Sequence, residues 1–528
     1  MTHAIRQWFP TSVSSLGVLV AGLVVLPLIY IITLALSAQA SVWARLWQTR
    51  IPELLSNTAW LAIGVSIGTL LIGVSLAWLV VRYDFWGRRM WEWALVLPLT
   101  MPTYVLAYVY TYLLGTDGPV EQIWRLIAGP QAQVFSPQTY AGATLVMTLD
   151  TFPFVYLLTR AALLNLNVSF EEVGRACGVS RLGILWRVTL PLLRPAIVAG
   201  LSLVILYVVS DFGAVSLLRY QTFTYAVYQQ LTGRYDHAAA AILSLLLVLF
   251  ALIFLLAERW FRQRSRFYQT TGRYRAPARK TCGPIGATLI TGYFALILGA
   301  AFTVPAWLLI KWTATVVSEG AIDARFLGFI WNSTFLSALA ATIAIILGTP
   351  LAYLATRRYS RVSVLCLQAA YAGYVLPGPV GALAILVAFS HIAPFWYGTV
   401  IVLMVAYVVH FLPAGLQTME PALQQVTPNL EEAARSLGSG TVQILRTVTF
   451  PLVRGGFIVA WVLIFLQCMK ELPATLLLRP VGFDTLAIRV WLEASEEYFQ
   501  LAAPAALLIV IMTMPALLLL VAKDWRAA

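Results

Sequence analysis

The sequence predicts an all-α membrane protein of about twelve transmembrane helices, arranged as two parallel halves related by a pseudo-two-fold axis. Three observations predict it. Hydrophobic residues make up 60% and charged residues 11% of the 528 positions, against roughly 25% charged in a soluble domain, so apolar side chains exceed what a water-facing surface hides. Apolar runs of about twenty residues recur, each long enough at about 1.5 Å per residue to cross about 30 Å of hydrocarbon. The chain also repeats itself. A soluble enzyme is excluded, and the net charge of +13 needs no nucleic acid to explain it, because most basic residues fall where membrane topology would put them.

Hydropathy and punctuation place spans at 16–37, 57–81, 91–114, 141–160, 195–212, 238–257, 285–310, 332–356, 366–390, 398–418, 455–470 and 500–521. The first run follows Arg6 and precedes Ala38-Gln39-Ala40, a superficial signal-peptidase site. It exceeds the roughly 7–15 residues of a signal-peptide core and has a counterpart in the second half, so it reads as a retained span. Between spans six and seven the stretch 259–280 is densely basic. It is read as a cytoplasmic linker joining a first half, 1–258, to a second, 281–528. Positive residues are held on the cytoplasmic side, which places both termini there. The linker arginines are expected to contact anionic lipid.

Similarity within the chain carries more than any local motif. Ser169-Phe170-Glu171-Glu172-Val173-Gly174-Arg175-Ala176-Cys177-Gly178 recurs 260 residues later as Asn429-Leu430-Glu431-Glu432-Ala433-Ala434-Arg435-Ser436-Leu437-Gly438. At the same offset Val188-Thr189-Leu190-Pro191 matches Val448-Thr449-Phe450-Pro451, and Asp211 to Arg219 matches Glu471 to Arg479. Earlier in each half the offset is 275, pairing Asn57 with Asn332, Gly73 with Gly348, Arg82 with Arg357 and Pro102 with Pro377. The difference lies in a longer outer loop containing Asp117 and Glu121. Six spans separate the copies, and an even number of crossings makes the halves parallel, with a path between them along the membrane normal.

Each repeated segment reads as a short helix outside the lipid. Ser169 with Glu172, and Asn429 with Glu432, fit a capping box. Gly178 and Gly438 allow the left-handed turn that ends a helix. Amphipathic runs follow, Arg181 to Leu190 and Thr441 to Phe450, closed by Pro191 and Pro451. A helix, a bend and a second helix, presented twice, form a docking knob for a pair of identical cytoplasmic partners. The blander alternative is a pair of interfacial helices lying among headgroups.

At these residues the chain resembles the membrane subunits of binding-protein-dependent ABC importers, whose EAA loop has Glu-Ala-Ala, three residues, Gly, then thirteen residues to Pro. Glu432, Ala433, Ala434, Gly438 and Pro451 fit the pattern. In the first copy Glu172, Gly178 and Pro191 fit, while Val173-Gly174 replaces Ala-Ala. The likeness covers the whole chain and is nearest to fused, two-half ferric iron permeases, carried by VSDFGAVSLLRYQTFTYAVYQQ (209–230) and MKELPATLLLRPVGFDTLAIRVW (469–491). It implies a type I importer permease in a bacterial inner membrane, with Glu171, Glu172, Gly178, Glu431, Glu432 and Gly438 coupling to two copies of a cytoplasmic ATPase. A periplasmic binding protein would deliver ferric iron. Thiamine, sulfate or a polyamine as cargo is the alternative within this architecture, and an ion-driven secondary transporter is the alternative outside it.

Ionisable groups inside spans are candidates for the pathway, because a charge at the bilayer centre costs at least about 2.5 kcal/mol. Asp150 and His410 are equivalent at the 260 offset, as are Asp211 and Glu471. Ferric iron favours oxygen ligands, so these acids suit a cation path. Asp211 and Glu471 equally suit helix caps or a pairing with a neighbour such as Lys470, and Asp150 and His410 a structural polar contact. Pro98, Pro102, Pro377 and Pro379 are expected to bend spans three and nine, and Gly64 and Gly68 to pack closely against a neighbour. The four lysines, 280, 311, 470 and 523, never follow a glycine, so no Walker A element is present and ATP belongs to a partner, with no cofactor in this chain. Cysteines 177, 282, 366 and 468 have no metal-ligand spacing, and no metal ligand set is assigned.

Overall fold

In the computed structural model, residues 11–167, 169–263, 279–357, 360–373 and 376–527 are described. Among them, nine helices are long and apolar enough to cross a membrane, and a tenth crossing is a broken one. The expected third span is that break. The helices Arg88–Thr100 and Thr103–Ala128 meet at 94°, because Pro102 forces Met101 into an extended conformation (φ −85°, ψ 126°) and has no N–H to continue the ladder. The expected ninth span is also interrupted. One helix ends at Ala372 and another, Gly378–Ile392, starts behind Pro377, with residues 374 and 375 outside those described. The twelfth is represented by the apolar helix Phe499–Pro515. The expectation of about twelve spans therefore resolves into nine full helices, one sharply bent crossing and two shorter apolar helices.

The repeat is visible as matched elements. Ile51–Arg82 and Arg325–Arg357 have 32 and 33 residues, and Tyr140–Leu164 and Val400–Gln424 have 25 each. Asn57 and Asn332 make the same kind of tie, their side-chain amides donating to the backbone carbonyls of Gln221 (3.1 Å) and Asp484 (3.0 Å).

The halves are exchanged at their first helices. Val20, Ala21 and Val24 of the Thr11–Leu36 helix are buried in a core formed by Ala340, Ala344, Leu351 and Met419 of the second half. Reciprocally, Phe294, Leu309 and Trp312 of the Pro284–Ser318 segment are buried with Leu61, Leu76 and Val146 of the first. A third core joins Ile31, Val227 and Leu243 to Val380 and Leu383. Lys280–Thr281, at the end of the basic linker, pairs in parallel with Tyr83–Asp84. Linker residues 264–278 lie outside the described residues.

Close helix approach depends on small residues. A Cβ on Gly64 or Gly68 would overlap Tyr140 or Thr148 of the facing helix. A Cβ on Gly73 would sit 2.8 Å from Val155 Cβ and 3.0 Å from the Tyr156 backbone nitrogen, whereas its counterpart on Gly348 would meet only side chains, the nearest at 3.2 Å. Overpacking costs about 1–3 kcal/mol where nothing can yield. Gly73→Ala is therefore expected to lower the unfolding temperature in detergent more than Gly348→Ala, and equal shifts would contradict the packing described.

Candidate functional site

The two repeated segments lie at one end of the helix array, each locked to it by its first glutamate. Glu171, 4% exposed, receives both terminal nitrogens of Arg82 (Nη1 at 3.1 Å, and Nη2) and the Thr189 hydroxyl (3.0 Å). Glu431, also 4% exposed, receives Arg357 through Nε (3.2 Å) and Nη2 (3.1 Å), together with the Thr449 hydroxyl (3.2 Å). Arg357 Nη2 also donates to the Val426 carbonyl at 2.8 Å. Behind each arginine stands an aromatic residue at the 275 offset. Trp78 lies under the Arg82 guanidinium at 5.0 Å, and the Tyr353 hydroxyl donates to Glu431 at 3.2 Å. The second glutamates, Glu172 and Glu432, are exposed.

Helix starts differ from the expected capping boxes. In the first copy Asn167 Oδ1 accepts from the Ser169 backbone N–H (3.2 Å) and hydroxyl (2.9 Å), so Ser169 is held by a cap rather than acting as one. In the second copy the helix is Pro428–Ser436 with Thr427 at its cap. Proline is well suited to the first turn, which draws the start ahead of Asn429. Gly178 and Gly438 end the helices at φ +76° and +85°, and a Cβ added at either would meet nothing within 4 Å, so the backbone conformation alone demands glycine there. The Val173-Gly174 departure is accommodated. Val173 is 63% exposed, and Gly174 is a packed position, where a Cβ would lie 3.4 Å from Ile184.

The run after each glycine is not closed by its proline. It passes through a π-helical turn, Leu185–Thr189 or Leu445–Thr449, directly into the next spanning helix. Pro191 and Pro451 fall at the first positions of the helix after that turn. The wider turn removes the need for a proline N–H and its clash with the carbonyl four residues back. The run after each glycine thus leads into a continuous helix, Leu185–Ser210 or Arg446–Met469.

Those two helices end at a cavity of about 560 Å³ between the halves. Asp150, Asp211, His410 and Glu471 all line it, so every candidate pathway residue converges on one space. Asp211 lies at its far end from the segments. Its Oδ2 accepts from the Thr103 hydroxyl (2.6 Å), and its Oδ1 from the Ala214 and Val215 amides (3.0 and 3.3 Å). Glu471 Oε1 accepts from the Ala474 amide at 3.0 Å. Both acids cap a following short helix while facing the cavity. Asp150 is 3% exposed; the Lys470 ammonium and the Tyr207 hydroxyl are its neighbours. His410 packs edge-on against Phe411, ring centroids 4.8 Å apart. Toward the segment end Arg160 is ion-paired with Glu92, and the Tyr156 hydroxyl donates to the Glu92 carbonyl at 3.0 Å. Sequence reasoning did not assign Glu92, Arg160, Tyr104 or Tyr207 to this space. Tyr104, 3% exposed, has no hydrogen-bond partner for its hydroxyl among the described residues. Among the described residues no three His, Cys, Asp or Glu side chains are grouped to hold a metal ion, and the four cysteines are free.

Paired handles that continue as helices into the walls of one charged cavity define a membrane permease subunit. The chain belongs to the binding-protein-dependent transport system inner membrane component family, which matches residues 69–267 and again 344–524. It is 33% identical over 469 residues to the Fe(3+)-transport system permease protein FbpB 2 of Haemophilus influenzae, covering 88% of this chain and 89% of that one. It is 24% identical over 500 residues to the ferric transport system permease protein FbpB of Actinobacillus pleuropneumoniae, covering 88% and 70%. The molybdenum transport system permease protein ModB of Escherichia coli aligns at 28% identity with 40% of this chain and 97% of its own length. That relative has the size of one half.

Proposed function

We propose that this chain is the translocation subunit of an ATP-driven importer for ferric iron, with both permease halves in one polypeptide. The observation that carries the reading is the duplicated segment, locked by a buried glutamate and mounted on an unbroken helix. At about 1.5 Å per residue the 26-residue and 24-residue helices extend about 39 and 36 Å, so a push on either segment arrives at Ser210 or Met469 beside the cavity. Two copies of a cytoplasmic ATPase would grip the segments around Glu172, Gly178, Glu432 and Gly438, and closing them would rock the halves about the cavity. This reading puts the segments and both termini in the cytoplasm and a periplasmic binding protein on the opposite face.

Cargo of positive charge fits the lining. Among the described lining residues four carboxyl groups, Glu92, Asp150, Asp211 and Glu471, outnumber three basic side chains, Arg160, His410 and Lys470, whereas an oxyanion would call for the reverse. The ferric relatives also align with both halves.

Reconstitution with the cognate ATPase and binding protein tests the proposal. A β-branched residue is poorly tolerated at positive φ, so Gly178→Val with Gly438→Val is expected to leave the protein in the membrane and ATP hydrolysis measurable while abolishing ATP-dependent uptake of ⁵⁵Fe. Unchanged uptake in that double variant would refute the coupling role. An unaltered chain that moves no iron under these conditions, yet moves sulfate or a polyamine, would refute the cargo.

A further inference from the structure

We propose that Lys470 is a tethered stand-in for the cargo, an ammonium that fills the cation path between transport cycles and is displaced when a metal cation arrives. The inference rests on the importer reading above and names a gating residue within it. Lys470 closes the Phe450–Met469 helix of the second half, and its Nζ crosses the cavity to the backbone carbonyl of Leu99 in the first half. That carbonyl is available because of the break at Pro102. In an unbroken helix it would accept from Thr103, but Thr103 begins a new helix at 94°. Asp150, also of the first half, lines the same cavity and attracts the ammonium. One side chain of the second half therefore hydrogen-bonds a carbonyl dipole of the first half and shares the cavity with one of its acids.

Symmetry sharpens the assignment. At the 260 offset the counterpart of Lys470 is Ser210, and that of Asp150 is His410. Among the described residues lining the cavity, the lysine and the aspartate facing it thus occur once and not as a two-fold pair. The protein has four lysines in 528 residues, and among the described residues Lys470 is the lysine that lines the cavity. An Asp150 carboxylate with no cation near it would be costly inside the membrane. The ammonium offsets that cost at rest, and its four-carbon stem lets it swing aside. A cation entering the cavity then takes over Asp150, and closure of the path is restored when the lysine returns.

The test uses the permease with its ATPase subunits in vesicles that trap dipicolinate, nucleotide and binding protein omitted, with external Tb³⁺ as the probe and luminescence as the readout. Unaltered protein and Lys470→Arg are expected to stay tight. Lys470→Met, which leaves Asp150 uncompensated, is expected to admit Tb³⁺ at least tenfold faster. Asp150→Asn combined with Lys470→Met is expected to return to the tight state, an outcome that a loss of packing at Lys470 would not produce. A Lys470→Met protein as tight as the unaltered one, or a double variant as leaky as the single, overturns the proposal. If Lys470→Met does not yield protein, the exchange Lys470→Asp with Asp150→Lys is measured instead: tightness supports the pair, and leak overturns it. This leak readout requires neither ATP nor iron, so its failure is distinguishable from failure of the importer reading, which is decided by ATP-dependent uptake in the unaltered chain.

Discussion

Replacing Glu171 and Glu431 together by glutamine is expected to reduce ATP-driven uptake to background and to lower the unfolding temperature sharply. Each carboxylate is buried against an arginine that is itself only 9% or 7% exposed at the side chain. Glutamine keeps the shape but leaves Arg82 and Arg357 as buried charges without a counter-ion, and removing one partner of such a pair costs about 3–5 kcal/mol. Thr189 and Thr449 lose their carboxylate acceptor at the same time. Since those threonines lie in the π-helical turns, the loosened joint is the one between the segment and its spanning helix. Glutamine at the exposed Glu172 and Glu432 is expected to leave the unfolding temperature nearly unchanged, within about 0.5 kcal/mol for a surface substitution. Scanning fluorimetry alongside iron uptake separates the two pairs. A Glu171/Glu431 variant with full uptake and unaltered melting would contradict the lock.

The second large effect is expected at Asp211, where two roles can be separated by two substitutions. Asp211→Ala removes the acceptor for the Ala214 and Val215 amides and for the Thr103 hydroxyl, and each orphaned buried group costs about 1–3 kcal/mol. That variant should be strongly destabilised. Asp211→Asn retains an oxygen for the two amides and turns its NH₂ toward Thr103, whose hydroxyl can accept. It should therefore melt near the unaltered protein while losing uptake by at least tenfold, because the cavity loses a carboxylate. Glu471→Gln is expected to behave in the same way. Full uptake by Asp211→Asn would reduce this acid to a helix cap.

Much of the arrangement is legible in the chain because apolar length and duplication are written residue by residue. The two offsets, 260 and 275, already pair Arg82 with Arg357, Glu171 with Glu431 and Thr189 with Thr449, yet nothing in sequence brings residues so far apart into one buried cluster. Trp78 and Tyr353 escape notice because they support the arginines by different means, a ring face and a hydroxyl, and so do not match as letters. Pro191 and Pro451 read as stop signals, since a proline usually ends a helix; a π turn that absorbs the misfit leaves no mark of its own. Prolines at 98 and 102 foretell a bend, but its size of 94° follows from Met101 being extended. Asp150, Asp211, His410 and Glu471 can be singled out because charge is rare in apolar runs. The Glu92–Arg160 pair, nearer the end of its spans, looks like ordinary loop charge.

The exchange of first helices bears on how such a molecule is made. Severing the polypeptide at its basic connector would yield two fragments, each lacking a piece that only the other can supply and each presenting a vacant apolar groove to lipid. Their reunion would depend on matched synthesis and on encounter within the bilayer, whereas a single translation product keeps both pieces at high effective concentration. Fusion thus guarantees stoichiometry and turns a bimolecular assembly problem into the last stage of one chain's folding.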